Sequence, residues 1–267
     1  MRLRPIAGIV LRQFYLLRGS PVRVLPMFAW VAIDIVLWGF ITRYLNSVSA
    51  AGINFVTTLL GAVLLWDLFT RIMQGVTTAF LEDVWSRNFL NLFATPLRIS
   101  EYVTGLVLTS LAASTIGLIT MLVLATAFFG LSYLALGMLL IVLLLVLSCF
   151  GIALGILASA LVLRLGPASE WLVWPLPALL SPFACVFYPL AVLPHWMRAI
   201  AYALPPAYVF EGMRSVLGGR TPTIAPLVGV VLLSLGYIAV SGYLFGRTYR
   251  YAVRTGLLAR YSAETVS

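Results

Sequence analysis

The sequence predicts an all-α integral membrane protein with six transmembrane helices, and two observations carry that reading. Hydrophobic residues fill 62% of the 267 positions, charged residues only 9%, and mean hydropathy is +1.07. Soluble domains carry roughly 45–50% apolar and about 25% charged residues. Several apolar runs also approach or exceed the roughly 20 residues that a helix needs to cross about 30 Å of hydrocarbon, and the strict alternation of a membrane barrel is absent.

Residues 1–23 interleave Arg2, Arg4, Arg12, Arg18 and Arg23 with Leu3, Ile6, Val10, Phe14 and Leu17, which recur at steps of three and four. Pro5 suits a first helical turn. The pattern predicts an amphipathic helix lying in the interface with its arginines toward headgroups. Val48, Ser49 and Ala50 resemble a signal-peptidase site. The apolar run before them is about 20 residues, longer than the roughly 7–15 of a signal peptide, so it reads as a true first span.

That span covers residues 24–45, the second 53–80 and the third 102–129. A tight turn at 130–133 leads to a fourth, 134–163. The polar segment 164–170 then precedes a fifth, 171–193, in which Pro175, Pro177, Pro182 and Pro189 remove amide donors. Such an element is broken, and a membrane tolerates it only where protein or a cavity supplies partners. Residues 193–222 are too polar for a span and predict two short helices hinged at Pro205 and Pro206. The sixth span, 224–245, ends in an arginine-bearing tail. One transmembrane domain, 1–267, therefore comprises an interfacial helix (1–23), a six-span bundle (24–246) and a tail (247–267).

Arginine placement orients it. Residues 2, 4, 12, 18, 23, 87, 98, 164, 247, 250, 254 and 260 fall on one side of the predicted spans, and 43, 198, 214 and 220 on the other. The positive-inside rule then puts both termini in the cytoplasm, which an even number of spans satisfies.

All 17 basic residues are arginine. With no lysine there is no P-loop cation and no Schiff-base nucleophile. The arginines flank spans instead of forming a patch on a soluble domain, which argues against nucleic acid. Cys149, Cys185 and the sole histidine, His195, give no disulfide framework and no metal cluster.

Residues 80–102, FLEDVWSRNFLNLFATPLRISEY, concentrate charge between two spans. On a helix, Glu82, Asp83, Ser86, Arg87 and Asn91 share one half, and Leu81, Val84, Trp85, Phe89 and Leu92 the other. Asp83 and Arg87 form an i,i+4 pair, and Pro96 helps end the helix. This predicts a short amphipathic helix at the cytoplasmic surface, either a loop anchor or a docking element.

Inside the spans, Trp30, Asp34 and Trp38 lie four apart on one face, either lining a translocation path or packing between helices. An acid at a span centre costs about 2.5–3.5 kcal/mol and asks for a partner or water. Asp67 and Arg71, also four apart, predict an intramembrane ion pair. Gly151, Gly155 and Ser159 form a small-residue ridge suited to helix packing, within the protomer or at a dimer seam.

Two segments, FLEDVWSRNFLNLFATPLRISEYVTG (80–105) and LPHWMRAIAYALPPAYVFEGMRSVL (193–217), resemble corresponding parts of ATP-binding cassette permeases of the second exporter type, ABC-2. The resemblance implies that Glu82, Asp83, Trp85 and Arg87 belong to a coupling helix that docks on a cytoplasmic ATPase subunit. It implies that Pro205, Pro206, Tyr208, Glu211 and Arg214 belong to re-entrant extracellular helices closing the outer end of the path. It further implies a homodimer in the bacterial inner membrane, surrounded by lipid, that exports lipid-linked polysaccharide, lipid or hydrophobic drug. No cofactor is expected in this chain, since ATP and Mg would sit on the partner; the hydrophilic segments are far shorter than the roughly 100–200 residues of a folded domain. The rival reading is a proton-coupled secondary transporter using Asp34 or Asp67. An embedded enzyme is disfavoured because the acids stand singly, with no histidine or lysine companion.

Overall fold

The computed structural model describes residues 2–48, 56–86, 88, 91–92, 95–132, 136–220 and 224–257, and its regular elements are all helical. The N-terminal helix α1 (Leu3–Arg18) precedes α2 (Pro21–Val48). A π-helical turn, Val56–Leu60, feeds α3 (Gly61–Trp85), followed by α4 (Ile99–Phe129) and α5 (Gly137–Leu165). Short helices come next: α6 (Glu170–Val173), α7 (Leu176–Leu180), α8 (His195–Ala203) and α9 (Pro205–Leu217). The long α10 (Ile224–Arg254) closes the bundle. Among the described residues five stretches are long and apolar enough to cross a membrane: Phe28–Val48, Val56–Trp85, Ile99–Phe129, Gly137–Leu165 and Leu227–Arg254. The chain is a multi-pass membrane protein.

Local chemistry sets the ends of α4. The Glu101 carboxylate reaches back to accept the Arg98 N–H at 3.1 Å, a capping interaction. At the other end Gly130 adopts φ +65°, the left-handed conformation that lets its N–H return to Thr126. This is the start of the predicted turn; Tyr133 lies outside the described residues.

Small residues bring the long helices together. A Cβ on Gly155 of α5 would stand 2.8 Å from the Met73 carbonyl oxygen, and one on Gly151 would stand 3.0 Å from that of Phe69. The glycine ridge therefore packs on α3 inside the protomer. Thr77 and Ser159 hydroxyls both donate to the Gly155 carbonyl, at 3.3 and 2.8 Å, so the seam satisfies its polar groups internally. On the other face of α3, Ser110 of α4 donates to Ile72 O at 2.9 Å and lies over Gly75. Val31 and Ile35 of α2 then pack with Leu64, Met121 and Ala125. The neighbour order is α10, α5, α3, α4, α2, with α1 lying across α4.

Helices α5 and α10 run parallel. Phe150 meets Tyr237 edge-on at 5.2 Å, and Arg164 shares a cleft with Arg247 and Tyr251 further along both helices. Residues 166–223 must therefore carry the chain back from one end of the bundle to the other. They include the predicted fifth span, which is not one helix: α6 and α7 are each a turn long, and Pro175 sits at the break between them.

Two other expectations are corrected. Helix α3 runs through Glu82 and Asp83 to Trp85, so those residues end the second span and do not belong to a separate helix; among the described residues beyond it, 91–92 are helical. No helix breaker separates Phe80 from Trp85, and propagation costs less than a new nucleus. In α1 the buried face is Ile6, Ile9 and Gln13, whereas Leu3 (81% exposed) and Phe14 (54%) face outward. Arg2 and Arg12 turn toward protein carboxylates, not headgroups.

Candidate functional site

The residues singled out by sequence fall into three levels along the bundle. At the end that carries α1, Asp83 is only 3% exposed. Its carboxylate accepts from both terminal nitrogens of the Arg12 guanidinium at 2.7 Å in a fork, and from the Tyr102 hydroxyl at 2.7 Å. Burial works against the Arg12 charge, but the Asp83 hydrogen bond and charge outweigh it and hold the guanidinium above its usual pKa. Arg12 thus stays protonated across the physiological range. Nearby, Arg2 donates from its backbone N–H and its Nε to Glu101 at 3.1 and 3.2 Å, and also donates to the Pro96 carbonyl. Gly105 lets α1 approach: a Cβ there would meet Ile9 at 2.6 Å. Two acids of the charged stretch therefore bind α1 to α3 and α4. Trp85, 51% exposed, presents its ring at the end of α3, and Glu82 is half-buried. Arg87 lies outside the described residues.

Halfway along α3, Arg71 Nε donates to Asp67 Oδ2, so the expected ion pair is present. The Arg71 side chain lies across Gly117 of α4, whose Cβ would stand 3.5 Å from Arg71 Cδ. Asp34 is half-buried between an outward-facing Trp30 (61% exposed) and Trp38, which stacks on Phe187 at 5.3 Å and 12°. The face of α2 that packs inside the protomer is the adjoining one, Val31, Ile35 and Thr42.

At the opposite end, α8 and α9 meet at Leu204, and Pro205 and Pro206 form the buried first turn of α9. Tyr208 closes the hinge by donating its hydroxyl to Tyr202 O at 2.8 Å. Glu211 accepts the Leu190 N–H at 2.6 Å, and Arg214 donates to the carbonyls of Cys185 and Val186 at 2.6 and 3.3 Å and to Glu211 at 3.1 Å. These are backbone groups that the broken fifth element cannot pair within a helix, and α9 supplies their partners. Cys185, fully buried at φ +57°, is held in the left-handed region by this grip.

Sequence reading passed over a fourth feature. Arg71, Gln74, Thr78 and Glu82 follow one another at helical steps along α3 and line a cavity of about 400 Å³ with Gln13 of α1, Ser114 of α4 and Trp174. The three-and-four spacing was visible in the sequence, but only its charged members drew notice there. Among the described residues no group of three or more His, Cys, Asp or Glu side chains has the arrangement of a metal site.

These elements combine a membrane-spanning bundle, an exposed aromatic end to the second long helix, and a latched N-terminal helix. A search of curated protein sequences gives no match. A family model described as ABC-2 type transporter matches residues 12–217, which runs from the arginine that grips Asp83 to the end of α9. With most of its length covered, the chain belongs to the ABC-2 type transporter family.

Proposed function

We propose that the chain is the permease subunit of an ATP-driven exporter in the bacterial inner membrane. It works as a homodimer with two separate ATPase subunits, both termini are cytoplasmic, and residues 1–267 act as one transmembrane domain. The observation that carries this reading is the latch at the α1 end. Because Asp83 and Glu101 bind Arg12 and Arg2, a push on the segment after Trp85 moves α1, α3 and α4 as one body. Glu82, Trp85 and Arg87 form the contact with the ATPase, and Asp83 acts behind them as a positioning group. ATP and Mg belong to the ATPase subunit, in keeping with a sequence that contains no lysine. At the opposite end α8 and α9, tied through Glu211 and Arg214 to the broken element, form the extracellular closure. The cargo is amphipathic, of the lipid-linked polysaccharide, lipid or hydrophobic drug type, and Trp30, Asp34 and Trp38 line its path.

The proton-coupled alternative needs an intramembrane acid free to titrate. Asp67 is engaged by Arg71, which favours the ATP-driven reading. Copurification tests it: Trp85→Ala and Glu82→Lys weaken recovery of the ATPase subunit at least fivefold while α1 stays docked. Full recovery with both variants overturns the coupling assignment.

A further inference from the structure

The cavity between α1, α3 and α4 has a chemistry that the coupling scheme does not use. We propose that it binds the headgroup of an amphiphile standing in the leaflet next to α1, and that this headgroup is uncharged and rich in hydroxyls, as a glycosyl group is.

Gln13 is the first reason. It sits on the buried face of α1, only 4% exposed, and its side-chain amide nitrogen has no hydrogen-bond partner among the described residues. A buried donor without a partner is disfavoured unless something entering the cavity accepts its bond. Charge gives the second reason. The lining holds one cation, Arg71, and one acid, Glu82, and so no surplus of either sign. An anion would face Glu82 and a cation Arg71, so neither charge is favoured, whereas a neutral headgroup meets no repulsion.

Hydrogen-bonding capacity is the third. The Thr109 and Ser110 hydroxyls, both in the lining, spend their protons on the carbonyls of Gly105 and Ile72 and so present acceptors to the cavity. The amides of Gln13 and Gln74 add donors and acceptors, a mixture that hydroxyls satisfy in both directions. Trp174, in the same lining, adds an apolar indole of the kind that stacks on sugars. From Arg71 to Glu82 the stripe rises about 16 Å along α3, room for a headgroup at one end and a chain leading away at the other. The volume lies in the range of small-molecule sites. The site itself does not depend on ATP-driven transport; that its occupant is cargo rests on the exporter reading.

The test uses the purified full-length chain in lipid nanodiscs and three amphiphiles of equal chain length, each with a diazirine beside its headgroup: an alkyl maltoside, an alkyl phosphocholine and an alkyl sulfate. The maltoside is expected to crosslink saturably to the peptides carrying Gln13 and Ser114, with a half-saturating concentration at least tenfold below the other two. Gln13→Leu and Gln74→Leu each raise that concentration at least fivefold, and Thr78→Val, which keeps the side chain's shape, raises it about threefold. Equal labelling by all three headgroups, or maltoside labelling unmoved by every substitution, overturns the proposal and leaves the cavity to water. Adding the ATPase subunit with ATP separates the two sources of the headgroup: a label displaced is cargo, a label retained is a resident lipid, and both support the site.

Discussion

Asp83 shows how one side chain decides between a surface and a core. Its fork with Arg12 is nearly dry on the Asp83 side, so removing the guanidinium leaves a buried carboxylate with only the Tyr102 hydroxyl. Breaking one partner of a buried pair costs about 3–5 kcal/mol, and the partial exposure of Arg12 places this case toward the low end. Arg12→Ala therefore destabilises the detergent-solubilised chain by about 3 kcal/mol in denaturant unfolding, and Tyr102→Phe by about 1 kcal/mol. The swapped double variant Arg12→Asp/Asp83→Arg recovers part of the loss. An Arg12→Ala chain as stable as the parent would remove the latch. Arg214 behaves similarly, since truncating it orphans the carbonyls of Cys185 and Val186. Arg214→Ala should cost about 2–4 kcal/mol, and Arg214→Lys less than half of that.

At the scale of elements, close approach at glycine does most of the positioning. Gly105→Val pushes α1 off α4, because the added carbons overlap Ile9. A cysteine placed at Ile9 in a background lacking Cys149 and Cys185 should pass from protected to reactive toward a membrane-impermeant thiol reagent, with a rate increase of at least tenfold. An unchanged rate would mean that α1 docks through its arginines alone. The same scale shows what the sequence could disclose. The long apolar runs, the small-residue ridge and the proline-broken fifth element were legible, because each depends on local spacing or on a missing amide. The two short helices and their proline hinge were legible for the same reason. The facing of α1 was not, since Arg12 and Asp83 stand 71 residues apart and Arg2 and Glu101 stand 99 apart. An amphipathic pattern reports which residues are polar, not which polar residues have found partners. The end of α3 was misread because charge set Glu82 and Asp83 apart as a separate surface helix, while nothing in that stretch stops α3. The polar stripe Arg71, Gln74, Thr78 and Glu82 was present at helical spacing, but uncharged members of such a stripe resemble ordinary packing residues.

For the whole molecule, the proposed function joins a moving part to an energy source on a separate ATPase subunit. α1, α3 and α4 form a latched body at one end, α9 braces the broken element at the other, and α5 is the packed axis between α3 and α10. On the proposed function, displacing the latched body carries α3, with Asp67 and Arg71, relative to α2 with Asp34. The most direct measurement is flux of a labelled amphiphile out of proteoliposomes that hold the purified chain with its cognate ATPase subunit, with and without ATP. The account requires no ATPase activity from the chain alone, ATP-dependent vectorial flux from the complex, and loss of that flux when the ATPase subunit's P-loop lysine is replaced. Flux by the chain without nucleotide, driven by a proton gradient and abolished by Asp34→Asn, would contradict it.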